Sequence, residues 1–196
     1  MSGTENANWN PGLEMTEYNI HIPVMLTEVL SFVKTDVPNY VVVDMTLGWG
    51  GHAANILHRL GPGCFLYGFD RDIEAIGFSQ QKLMRYGTNF KLYKERFSKA
   101  VAILRADRVR GADFILFDIG VSSPQFDDPK RGFSYRFDAP LDMRMDLDQK
   151  LDAATVVNTY SETELKRILW EYGGVAFAAL PLPLILISRC RRIVRL

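Results

Sequence analysis

The sequence has little of what would fix its chemistry at first reading. It holds 2 cysteines, Cys64 and Cys190, too few for a disulfide framework and in keeping with a reducing compartment. Its 3 histidines and these cysteines are scattered without metal-ligand spacing, so no metal is expected. Residues 1–20 contain no Lys, no Arg and no apolar core, which excludes a secretory signal or an Arg-rich transit peptide in that stretch. Residues 1–18 read as a disordered lead-in. The uncharged stretch Gly173 to Ile187 is shorter than the roughly 20 residues of a membrane span, and Pro181 and Pro183 interrupt it. No membrane anchor is expected. There is no internal repeat.

Positive charge is also scarce where a large nucleic-acid footprint would need it. Four of the 23 basic residues are Arg189, Arg191, Arg192 and Arg195, in a stretch with no acid. That leaves 19 basic against 23 acidic residues in 1–172, a net of −4.

What is present is alternation. Tyr40–Met45, Cys64–Phe69, Asn89–Lys94 and Asp113–Phe117 read as strands. Ala53–Leu60, Ile73–Tyr86 and Ser98–Ala106 read as helices between them, Ser98 serving as an N-cap. Short connections and this order predict βαβ units, a parallel sheet and helices on both faces. From Gly120 to Asp148 no period persists, yet Phe126, Phe133, Tyr135 and Phe137 disfavour plain disorder. Asp152–Val157 and Ser161–Tyr172 read as helices, the second opened by the capping-box pattern Ser161-Glu162-Thr163-Glu164.

In a parallel sheet, ligands bind beyond the carboxyl ends of the strands. The four strands end at Asp44, Asp70, Glu95-Arg96-Phe97 and Asp118. Gly48, Gly50 and Gly51 fill the first such turn, where glycine permits positive φ and close backbone approach. Asp70 follows at the distance of an acid that accepts hydrogen bonds from ribose hydroxyls, although Asp70 or Asp72 would serve equally as a helix cap. The turn Gly48-Trp49-Gly50-Gly51-His52 lacks the G-x-G-x-x-G spacing of a pyrophosphate cradle. A nucleoside cofactor without a phosphate, such as S-adenosylmethionine, fits better than a nicotinamide or flavin dinucleotide.

At these residues the chain resembles the ribosomal small-subunit RNA cytosine-N4 methyltransferase family, the MraW type of bacteria, which has an organellar counterpart in eukaryotes. The matching segments are HIPVMLTEVL (21–30), DMTLGWGGH (44–52), GFDRDIEAI (68–76), RFS (96–98), FDIGVSSPQFDDPKRGFS (117–134), PLDMRMD (140–146) and ELKRILWEYG (164–173). RGFS and PLDMRMD after DIGVSSPQ are the specific part. They argue against the alternative of a DNA amino-methyltransferase.

The resemblance implies an α/β Rossmann-like S-adenosylmethionine-dependent methyltransferase sheet, incomplete because only its first four strands are present, with the start of a helical insertion. It divides the chain into a lead-in at 1–18, the N-terminal part of a methyltransferase domain at 19–148, the start of the insertion at 149–173 and a tail unlike the family at 174–196. It implies methyl transfer to the N4 amine of a cytidine in small-subunit rRNA or the assembling small subunit. The alternative is a truncated, inactive product that at most binds cofactor. Gly50, Gly51 and His52 would line the methionine end of S-adenosylmethionine. Asp70 would hold the ribose, Phe97 would flank the adenine, and Asp118 and Gln125 would complete the site. Asp118 is the expected catalytic hydrogen-bond acceptor. Arg131, Phe133 and Arg144 are candidates to hold the RNA, with an internal network to Asp127, Asp142 and Asp146 as the competing reading. The location implied is mitochondrial if the source is eukaryotic and cytoplasmic if it is bacterial.

Overall fold

The computed structural model describes residues 23–174. The expected lead-in at 1–18 and nearly all of the tail at 174–196 lie outside the described residues. Four strands form one parallel sheet: β1 (Tyr40–Asp44), β2 (Cys64–Asp70), β3 (Phe90–Lys94) and β4 (Phe114–Leu116). Their spatial order is β3-β2-β1-β4. The helices are α1 (Leu26–Ser31), α2 (Gly51–Leu60), α3 (Ile73–Leu83), α4 (Ala100–Ala106), α5 (Ser123–Asp127), α6 (Ala153–Thr159) and α7 (Glu162–Glu171). The expected parallel sheet with intervening helices is present. Among the described residues, no helix is long and apolar enough to cross a membrane.

The run Tyr40-Val41-Val42-Val43 is apolar on successive residues because both faces of β1 are covered. Val42 joins a core with Ala53, Ile56 and Leu57 of α2 and with Ile76 and Leu83 of α3. The next residue, Val43, packs on the opposite face with Met45, Phe69 and Ala100, next to Ile103 and Leu104 of α4. Period-2 alternation therefore serves two separate cores. Phe69 is fully buried and stacks on Tyr93, with ring centroids 4.9 Å apart.

Three local outcomes differ from the sequence reading. Ser98 does not cap α4; it lies in a 3-10 turn, Phe97–Lys99, that runs straight into the helix. The extended residue at that entry is Arg96, which lacks a side chain that caps. The helix expected over Ile73–Tyr86 ends its α portion at Leu83 and finishes as a 3-10 turn, Met84–Tyr86, before Gly87. The segment after β4 is ordered by a short helix, α5, which is too short to show a period. Ser122 and Gln125 form a reciprocal capping box at its start. The box expected at Ser161 and Glu164 is present on α7.

The chain reaches β4 by crossing from β3, at one edge, over β2 to the far side of β1. The sheet order thus reverses between β1 and β4. In open α/β sheets this switch point is where a crevice opens beyond the strand ends. Among the described residues no strand pairs with the outer side of β4, and Ile115, Phe117 and Ile119 are exposed there.

Candidate functional site

The strand tips bring Asp44, Asp70 and Asp118 around the glycine turn. Asp44 ends β1 and is buried, with Oδ1 accepting from the Thr46 N–H at 3.1 Å. Burial raises its pKa to about 7; the nearby charges of Asp70 and Asp118 push the same way, and the Thr46 N–H pulls against them. Asp118 follows β4 and is half exposed, its Oδ2 3.7 Å from His52 Nε2. Its backbone N–H donates to the Thr46 hydroxyl at 2.7 Å. Thr46 therefore ties the tips of β1 and β4 together, a role the sequence reading missed.

The glycines have two reasons to be there. Gly48 and Gly50 have φ of +52° and +69°, which only glycine adopts without strain. A Cβ on Gly51 would sit 2.7 Å from Pro23 Cγ, so packing also requires glycine at the third position. Beside Gly48 a Cβ would meet nothing nearer than the Thr46 carbonyl oxygen at 3.9 Å, so open space adjoins the turn.

The competition between Asp70 and Asp72 for the helix cap is resolved by geometry. Asp72 is the N-cap of α3, its Oδ1 accepting from the Glu74 N–H at 3.0 Å. Asp70 instead accepts from the Gly48 N–H at 2.7 Å and from the Asp72 N–H at 2.8 Å, one bond to each oxygen. A carboxylate has about four acceptor positions, so acceptor capacity remains for a hydroxyl. Burial raises the Asp70 pKa, the backbone N–H groups of Asp72, Gly48 and Arg71 oppose that, and the charge of Asp72 adds to the rise.

Three acids crowding one crevice repel each other, and a cationic ligand would relieve that repulsion. S-adenosylmethionine carries a sulfonium and an ammonium against one carboxylate, and a ribose for Asp70. The residues present fit it. Phe97 is 44% exposed and meets Phe117 edge to face at 5.6 Å, leaving apolar surface beside the Asp70 end.

Gln125 is buried. Its Nε2 donates to Asp72 Oδ2 at 2.8 Å, and its Oε1 accepts from the Ser122 N–H at 3.1 Å. One N–H and one acceptor position of the amide are left for other partners.

The side chains expected to hold RNA have partners within the fold. Arg131 is only 4% exposed and faces inward. It donates to Asp72 Oδ2 at 2.7 Å, to Glu74 Oε2 at 3.1 Å, and to the carbonyls of Arg144 and Met145. These bonds engage the Arg131 guanidinium within the fold. Arg144 donates to Asp142 and to the carbonyls of Leu147 and Gln149. The internal-network reading holds for Arg144 with Asp142, whereas Arg131 pairs with Asp72, and Asp146 lies 3.5 Å from Lys94. Phe133 is half-buried. Gly132 sits between these arginines at φ +69°, where a Cβ would collide with the Pro140 carbonyl oxygen and the Asp142 nitrogen. The specific RGFS and PLDMRMD segments thus fold against each other.

Known proteins resemble the chain over much of its length. The chain is 46% identical to the ribosomal RNA small subunit methyltransferase H of Mycoplasma capricolum, over 86% of this chain and 55% of that protein. It is 45% identical to the protein of that name from Fusobacterium nucleatum, over 82% of this chain and 51% of that one. The chain spans about half the length of the curated relatives it matches. Among solved structures, an rRNA methylase from Streptococcus thermophilus matches with a TM-score of 0.35 and 22% identity, over 40% of this chain and 46% of that one. The model of the MraW methylase family matches residues 18–180, more than half of the sequence, and the chain belongs to that family.

Proposed function

We propose that this chain binds S-adenosylmethionine at the β1–β4 switch point and serves methyl transfer to the N4 amine of a cytidine in small-subunit rRNA. The observation that carries the reading is the crevice itself: three strand-tip acids around a glycine turn, in a chain of this family. The cofactor supplies an electrophilic methyl on sulfonium sulfur. Gly50, Gly51 and His52 would line its methionine end, Asp70 would accept from the ribose, Phe97 would flank the adenine, and Asp118 and Gln125 would complete the site.

The exocyclic amine of cytidine is a weak nucleophile, because its lone pair is delocalised into the ring. Catalysis needs that lone pair in line with the methyl and needs an acceptor for the amine proton. Asp118 stands at the exposed end of the crevice, held by the Thr46 hydroxyl through its own backbone, and is the acceptor in this reading. The target base must be unstacked to reach it. The relatives reported are bacterial, which favours the cytoplasmic alternative and lends nothing to the mitochondrial one.

Two results test the assignments. Asp70→Asn keeps one acceptor oxygen for the backbone donors and removes the charge. It is expected to weaken S-adenosylmethionine binding roughly 10- to 100-fold, the loss of a charge-assisted hydrogen bond. Calorimetric titration reads this, and parent-like affinity would return Asp70 to a purely structural role. Asp118→Ala is expected to lower methyl transfer to a small-subunit rRNA fragment by roughly 100-fold or more while cofactor affinity changes little. Transfer at the parent rate would remove Asp118 from the chemistry. The alternative reading, a chain that binds cofactor and transfers nothing, is separated by the same assay on the unsubstituted protein.

A further inference from the structure

The outer corner of the sheet, where β2 and β3 end, carries an open cleft of about 540 Å³. Arg71, Lys94, Arg96 and Lys99 line it, with Glu95 and Asp146 among them. Residues 1–172 carry a net −4, so four cations at one corner run against the charge of the body.

Two of the four are locally offset. Lys94 pairs with Asp146 and Asp148, and Lys99 with Glu95 at 2.9 Å. The arginines are placed differently. Arg71 donates to the neutral amide oxygen of Gln149 at 2.8 Å, and its buried Nε has no hydrogen-bond partner among the described residues. Arg96 is exposed at the rim. A planar guanidinium engages phosphate through two parallel N–H groups, and neither of these is held by a carboxylate in the way Arg131 and Arg144 are.

The corner borders the proposed cofactor site, since Arg71 follows Asp70 and Arg96 precedes Phe97. It lies on the side of the sheet away from β4. Three strand spacings, roughly 14 Å, separate β3 from the strand that leads to Asp118. A single strand whose target base sits at Asp118 would cover that span with a few nucleotides along the strand tips.

We infer that this corner binds backbone phosphates of a single-stranded RNA, a few nucleotides from the base held at Asp118. The inference rests on the proposed methyl transfer to RNA and adds the place where the polyanion is gripped. It adds cations to Arg131 and Arg144, whose guanidinium groups are engaged within the fold.

The test uses the full 196-residue chain. Affinity for a short unstructured oligoribonucleotide is measured by fluorescence anisotropy across a salt series, and S-adenosylmethionine affinity by calorimetry, for Arg71→Ala and Arg96→Ala. Each variant is expected to bind RNA about 3- to 10-fold more weakly and to lower the salt slope by about 0.7 for each phosphate it no longer neutralises. S-adenosylmethionine affinity should stay near the parent value. RNA affinity and slope unchanged in both variants would overturn the site while leaving the proposed function standing. RNA and cofactor affinity falling together would also overturn it, because the arginines would then act through the cofactor site. Weakened binding of inorganic pyrophosphate with RNA binding untouched would assign the corner to a small anion instead. A parent chain that binds no S-adenosylmethionine would overturn the proposed function, and this inference with it.

Discussion

Arg131→Ala is expected to destabilise the chain by about 3–5 kcal/mol, the range for removing one partner of a buried ion pair. Asp72, 1% exposed, would keep only Gln125 and the Glu74 N–H as partners for its charge. The carbonyls of Arg144 and Met145 would lose their donor as well. Pairing the change with Asp72→Asn removes the stranded charge, so the double variant should be less impaired than the sum of the singles. Urea denaturation of the two singles and the double closes the cycle. A cost below about 1 kcal/mol for Arg131→Ala would show that this pair does not hold the segment after β4 in place.

A second large effect should appear with pH. Asp44 has a pKa of about 7 in the folded chain against 3.8 for the free side chain. Between those values the folded state keeps a proton that the unfolded chain has released. Asp44 therefore makes stability fall as pH rises from about 4 to about 7, and its penalty is complete above that window. A rise of some three units corresponds to roughly 4 kcal/mol at most. Asp44→Asn keeps an acceptor oxygen for the Thr46 N–H and removes the titration. It should be more stable than the parent at about pH 8, with the advantage shrinking towards about pH 5. Parallel stability curves for the two proteins across that range would place the Asp44 carboxyl in a better-solvated setting than its burial implies. A cationic cofactor favours the ionised carboxylate, so S-adenosylmethionine affinity should rise through the same midpoint.

Much of the framework was legible because the strands are short, three of the four are largely apolar, and each ends at or near an acid. Val41-Val42-Val43 predicts a strand buried on both faces, and the structure puts Val42 and Val43 in two different cores. The acids at the tips follow from the same reasoning. The pairing of the arginines was not legible. Arg131 and Arg144 look alike in a sequence rich in Asp, and only the folded segment brings Arg131 to Asp72 on α3. The cap of α3 was ambiguous for a related reason: Asp70 and Asp72 are both well placed in sequence, and the hydrogen bond from the Gly48 N–H draws Asp70 towards the glycine turn. α5 escaped notice because five residues carry no period, although Ser122-Ser123-Pro124-Gln125 holds its capping signal. The cation corner was hidden because Arg71 and the Lys94–Lys99 stretch are separated along the chain and meet only at the ends of β2 and β3.

The crossing that carries the chain from β3 over to β4 also sets an order of assembly. β1 and β2 pair across a short βαβ connection, as do β2 and β3, so these pairings are local. Register between Val43 and Ile115 closes a loop of 72 residues by their numbering, a larger entropic step taken for only three residue pairs. β4 should therefore dock late and detach first. In amide hydrogen exchange, the β1 N–H groups bonded towards β4 should exchange through brief openings that leave the β1–β2–β3 ladder intact. The strand that presents Asp118 is then the most weakly held of the four. Ligands that bridge the β1–β4 junction would slow its exchange more than that of any other strand.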